Sequence, residues 1–367
     1  MKANIVIAST LKPVIDPRAY EKFGRSIAAS GEYKVHILGS LPTDNTVKSP
    51  ILLYPISPHT KGSVKRILLP WKILSKLFKI KPELLIINTH ELLFIGVLYK
   101  LFTGRKLVYD IRENYYFNLL YQNNYPIGIR NLLAFYVRTK EILLASFIDH
   151  FLLAEKCYVD EIKFIKQRFT IVENKYLPIE NEGNKEAQLD TEFLISGTIS
   201  KEYGVFEAVR FFKQLPKSKY KLIIVGHCPN KQTSIQLKNE VQDEENIELL
   251  ISDTPIPYRN ILIHIGSKTI GLLPYQTNKS TKNKIPTKLY EYIGLGIPVL
   301  ISRNPIWEKI IQSYHAGLSI DFNSPVVTDD ISQFITLNIA SKQPDLKNIM
   351  WNTEEGKLLS VINSLIS

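Results

Sequence analysis

Ile285-Pro-Thr-Lys-Leu-Tyr-Glu-Tyr-Ile-Gly-Leu-Gly-Ile-Pro-Val-Leu300 reads as a short ligand-facing helix followed at once by a buried strand. Pro286 suits the first helical turn, where a missing N–H costs nothing. Gly296 suits the left-handed residue that ends a helix, and Pro298 forbids continuation. Residues three and four apart share a helix face, so Thr287, Lys288 and Glu291 form a polar edge while Leu289, Tyr292 and Ile293 point to an apolar neighbour. A cation near the positive start of a helix suits phosphate oxygens, and a carboxylate one turn on accepts hydrogen bonds from sugar hydroxyls. Together they would hold a nucleotide-sugar. The plain alternative is an amphipathic helix with a surface Lys and Glu.

Outward from this stretch, strands and helices alternate. Short apolar runs at 4–9, 34–38, 84–88, 106–109, 151–154 and 169–172 are separated by helical segments at 17–30, 92–102, 127–147 and 156–167. After a polar stretch rich in Glu, Asn and Gly at 178–190, a second series runs 193–196, 221–225, 247–250, 269–273, 299–302 and 318–321. Such alternation predicts parallel sheets covered on both faces, with ligands at the carboxyl ends of the strands. A chain of 367 residues fits two domains of common size. The expected division is 1–177, a linker at 178–190, 191–345, and a final helical segment at 346–367.

Composition bounds the function. Hydrophobic content of 45% and charged content of 22% are those of a water-soluble globular protein, and no apolar run is long enough to span a bilayer. The first residues read as a strand rather than a signal peptide, which predicts a cytoplasmic protein. Cys157 and Cys228 offer neither a disulfide framework nor a metal cluster, and the His residues show no ligand spacing. No metal or cofactor is expected. The first strand is followed by Ser9-Thr-Leu-Lys-Pro13 rather than G-x-G-x-x-G, which counts against a nicotinamide or flavin enzyme.

The net charge of +11 lies entirely in residues 1–180, which hold 26 Lys and Arg against 15 Asp and Glu; the remainder holds 20 of each. The segment from Lys61 to Lys81 combines seven basic residues with Trp71, Phe78 and many aliphatic ones. It reads either as a basic amphipathic helix for an anionic membrane or as a core-packed helix with a basic outer face. No nucleic-acid motif accompanies the charge, so nucleic acid is not an expected partner.

Pro286, Lys288, Glu291, Tyr292, Gly296, Pro298 and Val299 resemble the donor-site helix of the group 1, family 4-like, retaining glycosyltransferases. Those enzymes have the α/β GT-B fold, two facing Rossmann-like domains with a cleft between them. The resemblance implies that Glu291 binds ribose hydroxyls of a nucleoside diphosphate sugar, and that the final helix crosses back to the first domain. Phe193-Leu-Ile-Ser-Gly197-Thr-Ile-Ser-Lys201-Glu-Tyr203-Gly204 is similar to the family's strand, Gly and paired cations that hold the donor diphosphate. Lys201 keeps the first cation and Tyr203 replaces the second. Asn283 stands where the family usually carries a Glu that contacts the sugar, within a loop at 276–284 expected to be mobile.

In the first half, Asp16-Pro-Arg18 resembles the family's Asp-x-Arg, with Asp16 read as a helix cap and Arg18 as facing the cleft. Thr89-His90-Glu91 and Asp110-Ile-Arg112-Glu113 resemble its acceptor-side motifs, Arg112 replacing a His. An Arg stays protonated and is no general base. The resemblance therefore implies catalysis by charge stabilisation from Lys201, Lys288 and Arg112, with Glu113 or Asp110 orienting Arg112. Donor-side residues would be Gly197, Lys201, Tyr203, Asn283, Thr287, Lys288 and Glu291; acceptor-side residues would be Arg18, His90, Glu91 and Glu113. The expected partners are a nucleotide-sugar, a glycan or lipid-linked acceptor, and the inner face of the cell membrane. A nucleotide-sugar epimerase and a non-catalytic scaffold are the alternatives.

Overall fold

The computed structural model describes residues 2–40, 50–56, 68–121, 125–178, 191–325, 331, 333–334 and 345–366. The chain divides into two compact units, Met1–Asn174 with Trp351–Ser367, and Lys175–Met350. The stretch read as a linker lies, apart from Pro178, outside the described residues, as do residues 61–67 of the basic segment.

The first unit is built on a parallel sheet in the order β3-β2-β1-β4-β5-β6-β7. Its strands are β1 (Ala3–Pro13), β2 (Tyr33–Ser40), β3 (Leu52–Ile56), β4 (Leu84–Ile87), β5 (Lys106–Ile111), β6 (His150–Leu153) and β7 (Phe169–Ile171). All four residues of β4 are buried, as a central parallel strand covered on both faces requires. Alternate residues serve the two faces. Val6, Ala8 and Leu38 pack in one core with helices Leu69–Ile80 and Leu93–Thr103. On the other face, Ile37 lies beneath Gly24 of the first helix.

That first helix starts as a π-helix, Pro17–Gly24, and continues as Arg25–Ala29. Asp16 caps it by accepting hydrogen bonds from the backbone N–H groups of Arg18 and Ala19, the role expected of an Asp before Pro. The C-terminal helix Asn352–Ile366 belongs to the same unit. Trp351 stacks on Phe23 and donates from Nε1 to Ser26 Oγ at 2.9 Å. The fully buried Glu354 accepts from the backbone N–H of Glu173 at 3.0 Å and pairs with Lys357.

Some elements depart from the sequence reading. β3 was not expected: Pro55 interrupts its run, which an edge strand tolerates because one side of its backbone is unpaired. The helix expected at 156–167 is instead two short turns, Tyr158–Glu161 and Lys163–Ile165.

The second unit repeats the plan with the order β10-β9-β8-β11-β12-β13, again parallel. These strands are β8 (Thr191–Thr198), β9 (Tyr220–His227), β10 (Ile247–Ser252), β11 (Thr269–Leu273), β12 (Val299–Ser302) and β13 (Gly317–Ile320). Both orders reverse beside the first strand of their unit, and ligands of such sheets bind at the carboxyl ends around that switch point. In each unit the candidate side chains sit at that edge.

Candidate active site

In the second unit, the quoted stretch forms the helix Thr287–Gly294 and then β12. Pro286 stands at its cap, and Gly296 adopts φ 69°, the left-handed conformation a side chain disfavours. Leu289, Tyr290, Tyr292 and Ile293 are buried. Tyr292 Oη shares a hydrogen bond of 2.9 Å with Ser196 Oγ, which fastens the helix to the end of β8. Thr287, Lys288 and Glu291 remain half-buried on the other edge. Lys288 Nζ donates to Glu291 Oε2 at 2.5 Å and stands 5.0 Å from the ring centroid of Tyr258. Lys288 Cε also lies 3.0 Å from where a Cβ at Gly197 would be. Gly197 itself has φ 103°, a conformation that side chains rarely adopt.

The loop after β8 carries Lys201. Its last residue, Gly204, has φ 72° and caps the helix Val205–Phe212. A Cβ there would fall 1.8 Å from the Pro274 carbonyl oxygen, so the loop is pressed onto the chain leaving β11. The Tyr203 and Tyr275 rings lie 4.7 Å apart, and Gln276 N–H donates to the Glu202 carbonyl. Tyr203 thus replaces a cation with a packed ring. Lys201 is exposed, 5.8 Å from the Phe206 ring centroid, and makes no ion pair among the described residues. The edge therefore presents one ammonium without a counter-charge and a second held by a single carboxylate on its own helix. Both are suited to an incoming anion.

The loop expected to be mobile is tied down. Asn304 Nδ2 donates to the Lys282 carbonyl at 2.9 Å and Trp307 Nε1 to that of Lys284 at 2.6 Å. The exposed Asn283 lies between these anchors.

At the edge of the first sheet the arginines are differently placed. Arg18, expected to face a cleft, is 1% exposed. Its guanidinium pairs with Asp110 at 2.7 Å and donates to the Val172 carbonyl and Asn174 Oδ1. Asp110 therefore anchors Arg18 rather than Arg112. Arg112 pairs instead with Asp16 at 2.8 Å, a partner the sequence reading did not assign to it, with Asp110 acting on it only through its nearby charge. Burial alone would push the Asp16 carboxyl up, but the Arg112 guanidinium holds it below the usual range. Both guanidiniums are engaged by buried carboxylates, which the chain separation of these partners hides from a sequence reader.

The acceptor-side candidates share that edge. His90 Nδ1 lies 3.0 Å from Lys140 Nζ, and its ring meets Tyr115 edge-on at 4.8 Å. Glu91 follows in the same turn, half-buried. Glu113 accepts from Asn118 Nδ2 at 2.9 Å and lies 3.6 Å from Lys12 Nζ. Sequence reasoning missed Glu141. It is buried, accepts from Tyr109 Oη at 3.0 Å and lies 3.4 Å from Arg138. Burial pushes its carboxyl up to about 7 despite that arginine. Tyr258 was missed as well, since an isolated tyrosine gives no periodic signal.

Residues 179–348 match the sequence model of the family described as glycosyl transferases group 1. The matched residues all lie in the second unit, which therefore carries a group 1 glycosyltransferase domain. No curated protein matches it. Among solved structures it is similar to the sucrose-phosphate synthase of Thermosynechococcus elongatus, with a TM-score of 0.72 at 11% identity over 99% of each chain. It is also similar to Anabaena HepE in complex with UDP and glucose, with a TM-score of 0.68 at 13% identity over 99% of this chain and 100% of that one. A glycosyltransferase from Rickettsia africae gives 0.62 at 11% identity over 98% and 94%. At these identities the likeness is one of fold, and the fold is GT-B. The group 1 match contains Gly197, Lys201, Lys288 and Glu291 together.

Proposed function

We propose that this glycosyltransferase is a retaining enzyme. It moves a sugar from a nucleoside diphosphate donor to a hydroxyl of a glycan or lipid-linked acceptor in cell-surface polysaccharide assembly. The observation that carries the reading is the Lys288–Glu291 pair set against Gly197 at the edge where Lys201 stands without a carboxylate. The UDP and glucose held by the similar HepE structure support the donor class.

In this reading the diphosphate lies between Lys201 and Lys288, and Glu291 turns from Lys288 to the ribose hydroxyls. The bond from the anomeric carbon to the phosphate oxygen breaks while the bond to the acceptor oxygen forms on the same face. The acceptor's proton passes to the departing phosphate oxygen, so no enzyme base is required. Stabilising the diphosphate charge then supplies the main catalytic effect. His90, Glu91 and Glu113 serve the acceptor side. Arg18 and Arg112 hold the first sheet's edge in shape rather than touch the diphosphate. Excess positive charge in residues 1–180 supports attachment to the inner face of the cell membrane.

The test is a donor-hydrolysis screen across nucleotide-sugars with the wild type, Glu291→Ala and Lys201→Ala, repeated with and without glycan acceptors. Turnover of one donor, lost in both variants and accelerated by an acceptor, is the expected outcome. Acceptor-independent conversion to an isomeric donor would instead make it an epimerase, and no turnover or binding of any donor would make it a scaffold.

A further inference from the structure

The helix Ile127–Leu144 is inside out. It buries Ala134, Val137 and the carboxylate of Glu141, and turns Leu132, Phe135 and Leu143 to solvent. A helix on the surface of a soluble protein ordinarily does the reverse. The polar seam is satisfied internally, through Tyr109 and Arg138 on Glu141, so the orientation is built in. The neighbouring helix Leu93–Thr103 exposes Phe94 and Phe102, and it touches both the inverted helix and the helix Leu69–Ile80. The latter exposes Trp71, whose ring meets Phe94 edge-on at 6.4 Å. These six large apolar side chains are each more than half exposed. Single exposed apolar residues need no explanation, but such a set on three adjoining helices marks an interaction surface.

The charge on the same helices names the occupant. Lys72, Lys76 and Lys79 are exposed there, Lys100 and Arg138 are paired with Asp149 and Glu141, and the one acid on these helices, Glu141, is buried. We infer that this three-helix face docks on an anionic lipid bilayer, its aromatic and leucine side chains entering the headgroup boundary and its lysines meeting lipid phosphates. A second copy fits poorly, because a twofold contact would set the same cations against each other. Among the described residues no helix is long and apolar enough to cross a membrane, so the face lies on the bilayer. The inference deepens the membrane attachment proposed above. It moves that attachment from the basic segment alone to a surface dominated by the inverted helix.

The test is flotation of the full chain with vesicles of equal parts phosphatidylglycerol and phosphatidylcholine, and with phosphatidylcholine alone, at low and high salt. The wild type is expected to float with the anionic vesicles and to be partly retained at high salt. Phe135→Glu with Leu143→Glu should weaken binding roughly hundredfold. The milder Phe135→Gln should weaken it about tenfold, and Lys72→Gln with Lys79→Gln should remove much of the preference for anionic lipid. Light scattering should find the unbound wild type monomeric. Wild type that stays at the bottom of the gradient, apolar variants that float as the wild type does, or a dimer dispersed by the same substitutions would each overturn the inference. Donor hydrolysis by the same variants, expected unchanged, reads the proposed transferase function separately.

Discussion

At the carboxyl edge of the first sheet, Arg18 and Arg112 are each clamped by a buried aspartate, at 2.7 and 2.8 Å. At the corresponding edge of the second sheet, Lys201 is exposed and makes no ion pair among the described residues, and the carboxylate paired with Lys288 there is Glu291 on its own helix. Guanidinium groups forked onto desolvated carboxylates are committed to the fold, because separating them strands a buried charge. Ammonium groups on flexible stems, one without a counter-ion and one with a partner that has a second use, are free to serve an incoming diphosphate. In the function proposed above, the second edge, unlike the first, keeps its cations for a ligand.

The largest effect should come from breaking the first edge. Arg18→Met leaves Asp110 buried without its cation and is expected to cost about 3–5 kcal/mol in urea unfolding; a loss near zero would mean that the pair is solvated and the contrast false. At the second edge, Glu291→Ala should lower kcat/KM for the donor about hundredfold with little change in melting temperature. Lys201→Ala should lower it about thirtyfold, mainly through the donor. If either variant unfolds the protein instead, the second edge is as structural as the first.

A smaller effect concerns pH. The Glu141 carboxyl is pushed up from 4.5 to about 7 in the folded chain. A raised native value favours the protonated native form, so this contribution is complete below about pH 4.5 and lost as pH rises through 7. Relative to Glu141→Gln, wild-type stability should fall by about 3 kcal/mol across that window and then level off. A difference that stays flat would show that the carboxyl titrates as in water. The smallest effect is a sharpening one. Tyr203→Arg restores a second cation to the Lys201 loop and is expected to lower the donor KM about threefold, against some loss of packing with Tyr275. An unchanged KM would mean that the loop does not reach the diphosphate.

Much of the fold was legible because its central strands are buried along their whole length. Leu84–Ile87 and Thr269–Leu273 read as apolar runs for that reason, whereas β3, half-exposed and broken by Pro55 at a sheet edge, did not. The helix Tyr115–Tyr121 has no buried residue, hence no stripe to find. Within the candidate site, local spacing carried what it could: Lys288 and Glu291 are three apart and do meet. The partners of Arg18 and Arg112 lie 92 and 96 residues away, and no periodicity encodes such pairings. The same limit hid the inverted helix. Its 3.6-residue pattern was visible, but which face would meet Glu141's partners depended on Tyr109 from another strand.

The account's central claim is that Lys201 and Glu291 act on one bound sugar nucleotide, and calorimetric titration with uridine, guanosine and adenosine diphosphates tests it most directly. It predicts that one of these binds the wild type at a single site and that Lys201→Ala and Glu291→Ala each weaken binding at least about tenfold. Binding that neither substitution changes, or no binding of any of the three, would contradict it.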